Sequence, residues 1–319
     1  MGKSMKLDEI DLDSYNRIQL PSPGKCIYCY DDENKRTEEH IIPYAIGENT
    51  VSILDACCDN CQIIINKYEQ GFLSKQIGPF RGAIGAPSRT RKKKKKLQEH
   101  HTHMRFTFTE IDWTGKYIRD LGYRLIPFTQ APLVLPLWTS PPPTILGLPV
   151  RAGSEMGESW LYQEKDKLAA LAKDVGTEKG AFIVKTQTGV VSREHTLRFL
   201  AKTAHAWAAA QFGLDAFDPF LTDIVLNKAH DMERYIGNAP PYMYENMPEL
   251  GKLVEGEEHI FRIVGGRETI GDMSDCLFTL IQLYPMVNSP VHLIVVGKVK
   301  PGFDMDARML ERHGVEALA

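Results

Sequence analysis

The sequence predicts an α+β protein in two parts. A small hairpin–helix module lies near the N-terminus, and a larger α+β domain with a mostly antiparallel sheet and one long helix follows it. Three observations predict this. Two Cys-x-x-Cys pairs, Cys26/Cys29 and Cys58/Cys61, bracket short strand-like segments and lead into a helix pattern. Residues 105–109, Arg-Phe-Thr-Phe-Thr, alternate with strict period two, as a half-buried strand does. Leu197, Leu200, Ala201, Ala204, Ala208 and Phe212 recur at spacings of three and four, so 193–212 reads as a long helix.

The chain has 319 residues, room for two or three domains. Its 43% hydrophobic content is ordinary for a globular protein. A net charge of −3 excludes a basic nucleic-acid coat, so any nucleic-acid affinity must come from local patches. No stretch approaches the ~20 apolar residues of a membrane span, and no membrane partner is expected.

Taken in order, residues 1–24 form a polar, weakly ordered lead ending in Pro21-Ser22-Pro23-Gly24. Residues 25–88 are the module, and Pro87 marks its end. Residues 89–103 are a basic linker: Arg89, Arg91, Lys92, Lys93, Lys94, Lys95 and Lys96 put seven cations in eight positions, suited to phosphate contact. Residues 104–319 are the larger domain. There Leu133–Trp138 and Gly180–Lys185 read as strands, and Ser159–Lys173 has helical spacing. A second helix is expected at Pro219–Lys228, with strands at His259–Val264, Cys276–Tyr284 and Val291–Val299. Cys276 reads as a buried thiol, and His195, His205 and His230 as structural. His100, His101 and His103 read as linker polarity rather than metal ligands.

Five of the six cysteines fall between Cys26 and Cys61. Two knuckles far apart in sequence can close one tetrahedral zinc site through Cys26, Cys29, Cys58 and Cys61. The chain starts with the polar MGKSMKLDEI, so the expected setting is a reducing cytoplasm, where paired cysteines bind metal more often than they bridge. Cys57 offers an alternative to Cys58. Between the knuckles, Glu39-His40-Ile41-Ile42-Pro43 reads as a strand, and Val51–Leu54 as its hairpin partner. Helix signals begin at Cys58-Asp59. Gln62, Asn66 and Glu69 span about 60° of that helix at ~100° per residue. Their polar edge adjoins an apolar stripe of Cys61, Ile65, Tyr68 and Phe72, and it can face the strand carrying His40.

Cys-x-x-Cys, then Glu-His-Ile-Ile-Pro, then Cys-x-x-Cys entering a helix resembles the HNH endonucleases, and more narrowly their four-cysteine bacterial group. The resemblance runs from about Lys25 to about Lys96 and includes Pro79-Phe80-Arg81. It implies a zinc-stapled ββα-metal module in which His40 is the general base and Glu39 a ligand of a catalytic Mg²⁺ or Mn²⁺. The position after the last cysteine usually supplies a further ligand as Asn or His; here it is Gln62, with Asn66 one turn later as the natural substitute. Asn49 is the nearest match to the middle Asn of the motif. In an ideal strand Glu39 and His40 point to opposite faces, so both serve one site only if the strand is irregular; otherwise Glu38 is the better partner.

The expected function is metal-dependent hydrolysis of DNA phosphodiester bonds, double-stranded DNA being the partner, in host defence or a mobile element. The alternative is a zinc-stapled nucleic-acid-binding or interaction protein without cleavage. The C-terminal domain carries no motif of its own. By elimination it recognises the substrate, contacts a protein partner or a second copy, or controls the module.

Overall fold

The computed structural model describes residues 10–11, 18–46, 51–86, 103–150, 152–153, 155–173, 182–186, 190–245, 259–303 and 308–313. They form a mixed α+β fold with mostly antiparallel sheets. In chain order come β1 (Ile10–Asp11), β2 (Ile18–Leu20), β3 (Arg36–His40) and β4 (Val51–Cys58). Helix α1 (Asp59–Gln70) runs into a π-helical segment, Gly71–Gln76, and then α2 (Gly78–Ala83). Strands β5 (His103–Ile111), β6 (Tyr117–Pro127), β7 (Val134–Thr139) and β8 (Glu158–Gln163) follow, then α3 (Lys165–Lys173) and β9 (Phe182–Thr186). Helix α4 (Arg193–Phe212) precedes β10 (Phe217–Pro219), β11 (Ile236–Asn238), β12 (His259–Ile270), β13 (Met273–Leu283), β14 (Val291–Val299) and β15 (Arg308–His313).

The largest sheet has the order β1-β15-β12-β13-β14-β10, with β11 also paired to β14. Strand alternation divides its side chains between two cores. Ile263, Leu277 and Ile281 join the core that holds α4, while Val264, Phe278 and Leu280 join a second cluster on the other face. Helix α4 is buried nearly all round, as expected of a helix enclosed in a core. Ser192 caps it, its hydroxyl accepting from the His195 amide at 3.2 Å. The Trp207 ring lies so close to Gly265 that a Cβ there would meet it at 2.7 Å.

The cysteine-bearing segment shares this core. Cys26, Ile41, Cys61 and Phe72 belong to the same hydrophobic cluster as Phe199, Trp207 and Phe261. Phe72 stacks on Phe199 with ring centroids 4.5 Å apart. Gln76 locks the arrangement. Its amide donates to the Pro136 carbonyl at 3.2 Å and the Thr196 hydroxyl at 3.0 Å, and its oxygen accepts from the Ser192 amide at 3.0 Å.

Three local expectations change. The lead supplies two short strands, β1 parallel to β15 and β2 parallel to β4. Residues 158–163 form a strand rather than the start of a helix, because Trp160 and Tyr162 pack inward while Leu161 between them is exposed. The helix expected at Pro219–Lys228 shrinks to one turn, Thr222–Val225. Phe217–Pro219 is taken by pairing with β14, and Asn227 at φ 59° ends the turn. No helix among the described residues is long and apolar enough to cross a membrane.

Candidate functional site

Two clusters sit along α1. The first is at its N-terminal end. Cys58 is the last residue of β4 and the N-cap of α1, and Cys61 lies in the first turn. The opposite knuckle is held by backbone bonds: the Cys26 amide to the Asp31 carbonyl at 2.7 Å and the Ile27 amide to the Ala56 carbonyl at 2.8 Å. Tyr30 closes it with a left-handed φ of 64°. The sulfurs of Cys26, Cys29, Cys58 and Cys61 all lie within 4.8 Å of one another, so they could hold a metal ion such as zinc. No disulfide joins the described cysteines. Cys57 lies outside that group, its thiol directed at the Cys58 carbonyl at 3.6 Å.

The electrostatics suit a soft cation. Hydrogen bonds from the Cys57 and Cys61 thiols pull Cys26 well below the usual thiol range, against the effect of burial. The same bonds, and then burial, push Cys57 and Cys61 up. Burial raises Cys29 to about 11. A bound cation would favour the thiolate form at this site. Behind the knuckle, the buried His205 on α4 bonds through Nε2 to the Ile27 carbonyl at 2.7 Å. Burial lowers His205 to about 4, so it is neutral there and Nε2–H is the donor. His195 packs on Gly71 and His230 pairs with Arg198, so the histidines expected to be structural have packing and hydrogen-bonding partners.

The second cluster lines a cavity of about 340 Å³ on the polar edge of α1. Glu38, Glu39 and His40 border it from β3, and Gln62, Asn66 and Glu69 from α1. Glu39 and His40 both border it, and the hairpin is irregular just before them. Thr37 pairs with Cys57 but Glu39 pairs with Ile53, so β4 bulges between them, and Asp55 in the bulge has φ 46°. Glu38 is occupied by Ser52 and by Gln19, the latter at 3.1 Å. The Gln62 carbonyl accepts from the Thr37 hydroxyl at 2.8 Å, while Asn66 is exposed beside it. Arg81 of α2 braces the rim, donating to the Ala45 carbonyl at 2.6 Å and the Leu73 carbonyl at 2.9 Å.

The residue that sequence reasoning missed is Lys202, in the middle of α4. Its ammonium meets Glu39 at 2.5 Å and Glu69 at 3.3 Å, and it also donates to the His40 carbonyl. Burial alone would depress this lysine; Glu39 and then Glu69 more than offset that, and its pKa is raised. Burial raises the Glu69 carboxyl, against the pull of Lys202. The one signal available was a single charge inside the run Phe-Leu-Ala-Lys-Thr-Ala-His-Ala-Trp, where a lysine needs a partner. Asn49, the basic run 89–96, His100 and His101 lie outside the described residues.

Comparison of the chain with family models, curated proteins and solved structures finds no match.

Proposed function

We propose that this protein is a metal-dependent endonuclease of the HNH type, acting on DNA. One observation carries the reading. A histidine on an irregular hairpin and oxygen donors on the following helix border one cavity, next to a four-sulfur cluster on the same helix. In this reading zinc at Cys26, Cys29, Cys58 and Cys61 fixes the hairpin to α1. His40 takes a proton from the attacking water, a task suited to a group that titrates near neutrality. The carboxylates already converge on a cation, the Lys202 ammonium, so the donor set suits a positive charge. Glu39 and Asn66 would hold Mg²⁺ or Mn²⁺, with Gln62 as the weaker candidate because Thr37 engages its oxygen. Such an ion, when bound, supplies charge stabilisation for the phosphate and the leaving oxygen. The run Arg89–Lys96 supplies phosphate contacts.

The test is purified protein on supercoiled plasmid and on RNA, with Mg²⁺, Mn²⁺ or chelator. His40→Ala should cut about 10²–10⁴-fold more slowly than wild type while DNA binding persists. Equal activity of the two would remove the reading. Neutralising Lys92–Lys96 should reduce the log–log salt slope of binding to duplex DNA by about 0.9 for each phosphate that is no longer neutralised. A second reading, binding without cleavage, has one observation in its favour: Lys202 sits on the carboxylate that the ion would use. Salt-dependent binding with no metal-dependent cutting would select it.

A further inference from the structure

Lys202 is the group at this cavity to which the proposed chemistry gives no task. Its side chain is 2% exposed and comes from α4, not from the hairpin or the helix that carry the other groups. An ammonium has three protons, and three acceptors surround this one: Glu39, Glu69 and the His40 carbonyl. It therefore has no proton to offer a substrate. Glu69 Oε1 is enclosed, and the Lys202 ammonium at 3.3 Å is what faces it. The Glu39 side chain is buried, and that of Glu69 is 16% exposed. With Lys202 taken away, two enclosed carboxylates would converge on one point with no counter-charge, and like charges so placed attract a cation strongly.

We infer that Lys202 is the resident cation of the Glu39–Glu69 pair, and that a divalent ion engages these carboxylates in competition with its ammonium. Two carboxylates and one ammonium leave a net charge of −1, enough to attract an ion but less than the bare pair would offer. The competitor is tethered to a buried helix, so its local concentration is fixed by the fold and not by the medium. Lys202 thus sets a threshold: the pair accepts a divalent ion only above a concentration that the lysine determines. It acts through Glu39 and Glu69 and is a positioning residue. The inference rests on the HNH reading for what the ion would do, but not for the competition itself.

Stability in the presence of Mn²⁺ alone tests it. Thermal unfolding of the full zinc-loaded chain is followed while MnCl₂ is titrated, for wild type, Lys202→Arg, Lys202→Met and the double variant Glu39→Gln/Lys202→Met. Lys202→Met should show a Mn²⁺-dependent rise in Tm that half-saturates at about tenfold lower concentration, or less, than in wild type. Lys202→Arg keeps a cation and should respond as wild type does. Adding Glu39→Gln to Lys202→Met should abolish the gain. A Lys202→Met chain that folds only when Mn²⁺ is present supports the inference equally. A Lys202→Met chain with the wild-type response, or one that stays unfolded at saturating Mn²⁺, overturns it. The readout is independent of cutting. A wild type that fails to nick plasmid sinks the nuclease reading and leaves the competition standing; a wild type that nicks plasmid with Mn²⁺, while Lys202→Met keeps the wild-type Mn²⁺ response, sinks the competition alone.

Discussion

The two clusters on α1 are made by different means. The four-sulfur cluster is local: two knuckles and a helix start bring it together within residues 26–61. The cavity cluster begins on the same hairpin and helix but is finished by Lys202, far along the chain. In the first, the side chains that meet are of one kind, four cysteine sulfurs. In the second, the cation is already a part of the protein. A motif can therefore announce the first by spacing alone, whereas the second depends on how a distant helix packs.

Removing the metal gives the sharpest contrast. Elemental analysis should find about one zinc per chain, and Cys29→Ser or strong chelation should unfold the hairpin–helix region. Binding energy in such sites is folding energy, on the order of 10 kcal/mol. The cavity cluster should survive chelation of Mg²⁺ and Mn²⁺ with its fold intact, because Lys202 supplies its charge. Zinc-free reduced protein with unchanged stability would remove the distinction.

Acid should act on the core behind the cysteine cluster and on the large sheet. Burial lowers His205, behind the cysteine knuckle, and His292, in the large sheet, from 6.5 to about 4. Unfolding frees both to take up protons between those values. Their contribution to stability is complete above about pH 6.5 and is lost as pH falls toward 4, on the order of 3 kcal/mol for each histidine. Urea midpoints measured across this range check it. His292→Gln should remove one share of the pH dependence and leave that of His205; an unchanged profile would mean that His292 is not held neutral.

The smallest effect separates Gln62 from Asn66. If Asn66 supplies an oxygen to the ion, Asn66→Ala should raise the Mg²⁺ concentration needed for cutting on the order of tenfold, with partial rescue by Mn²⁺. Gln62→Ala should do less, since Thr37 already engages its oxygen. Full activity of Asn66→Ala at limiting Mg²⁺ would reverse the assignment.

Much of the fold was legible where one periodicity dominated. The α4 span, the β5 alternation and the strands around Phe261, Leu277 and Leu293 follow from spacing of apolar residues. What failed was decided by partners. Glu158–Gln163 is a strand because β7 lies beside it, and Phe217–Pro219 because β14 does. In the site, the choice of Cys58 over Cys57 needed the strand-to-helix turn that aims each sulfur. The bulge just before Glu39 and His40 turns at Asp55 in β4, a left-handed residue with no glycine to advertise it.

The separation of 162 positions between His40 and Lys202 also has a consequence in time. A ribosome adding about 5–20 residues per second completes the hairpin and α1 roughly seven to thirty seconds before α4 can follow. Throughout that interval the newborn chain carries Glu39 and Glu69 without the ammonium that neutralises them. Any cation that meets the two carboxylates in that interval does so without a competitor, and the arrival of α4 introduces one.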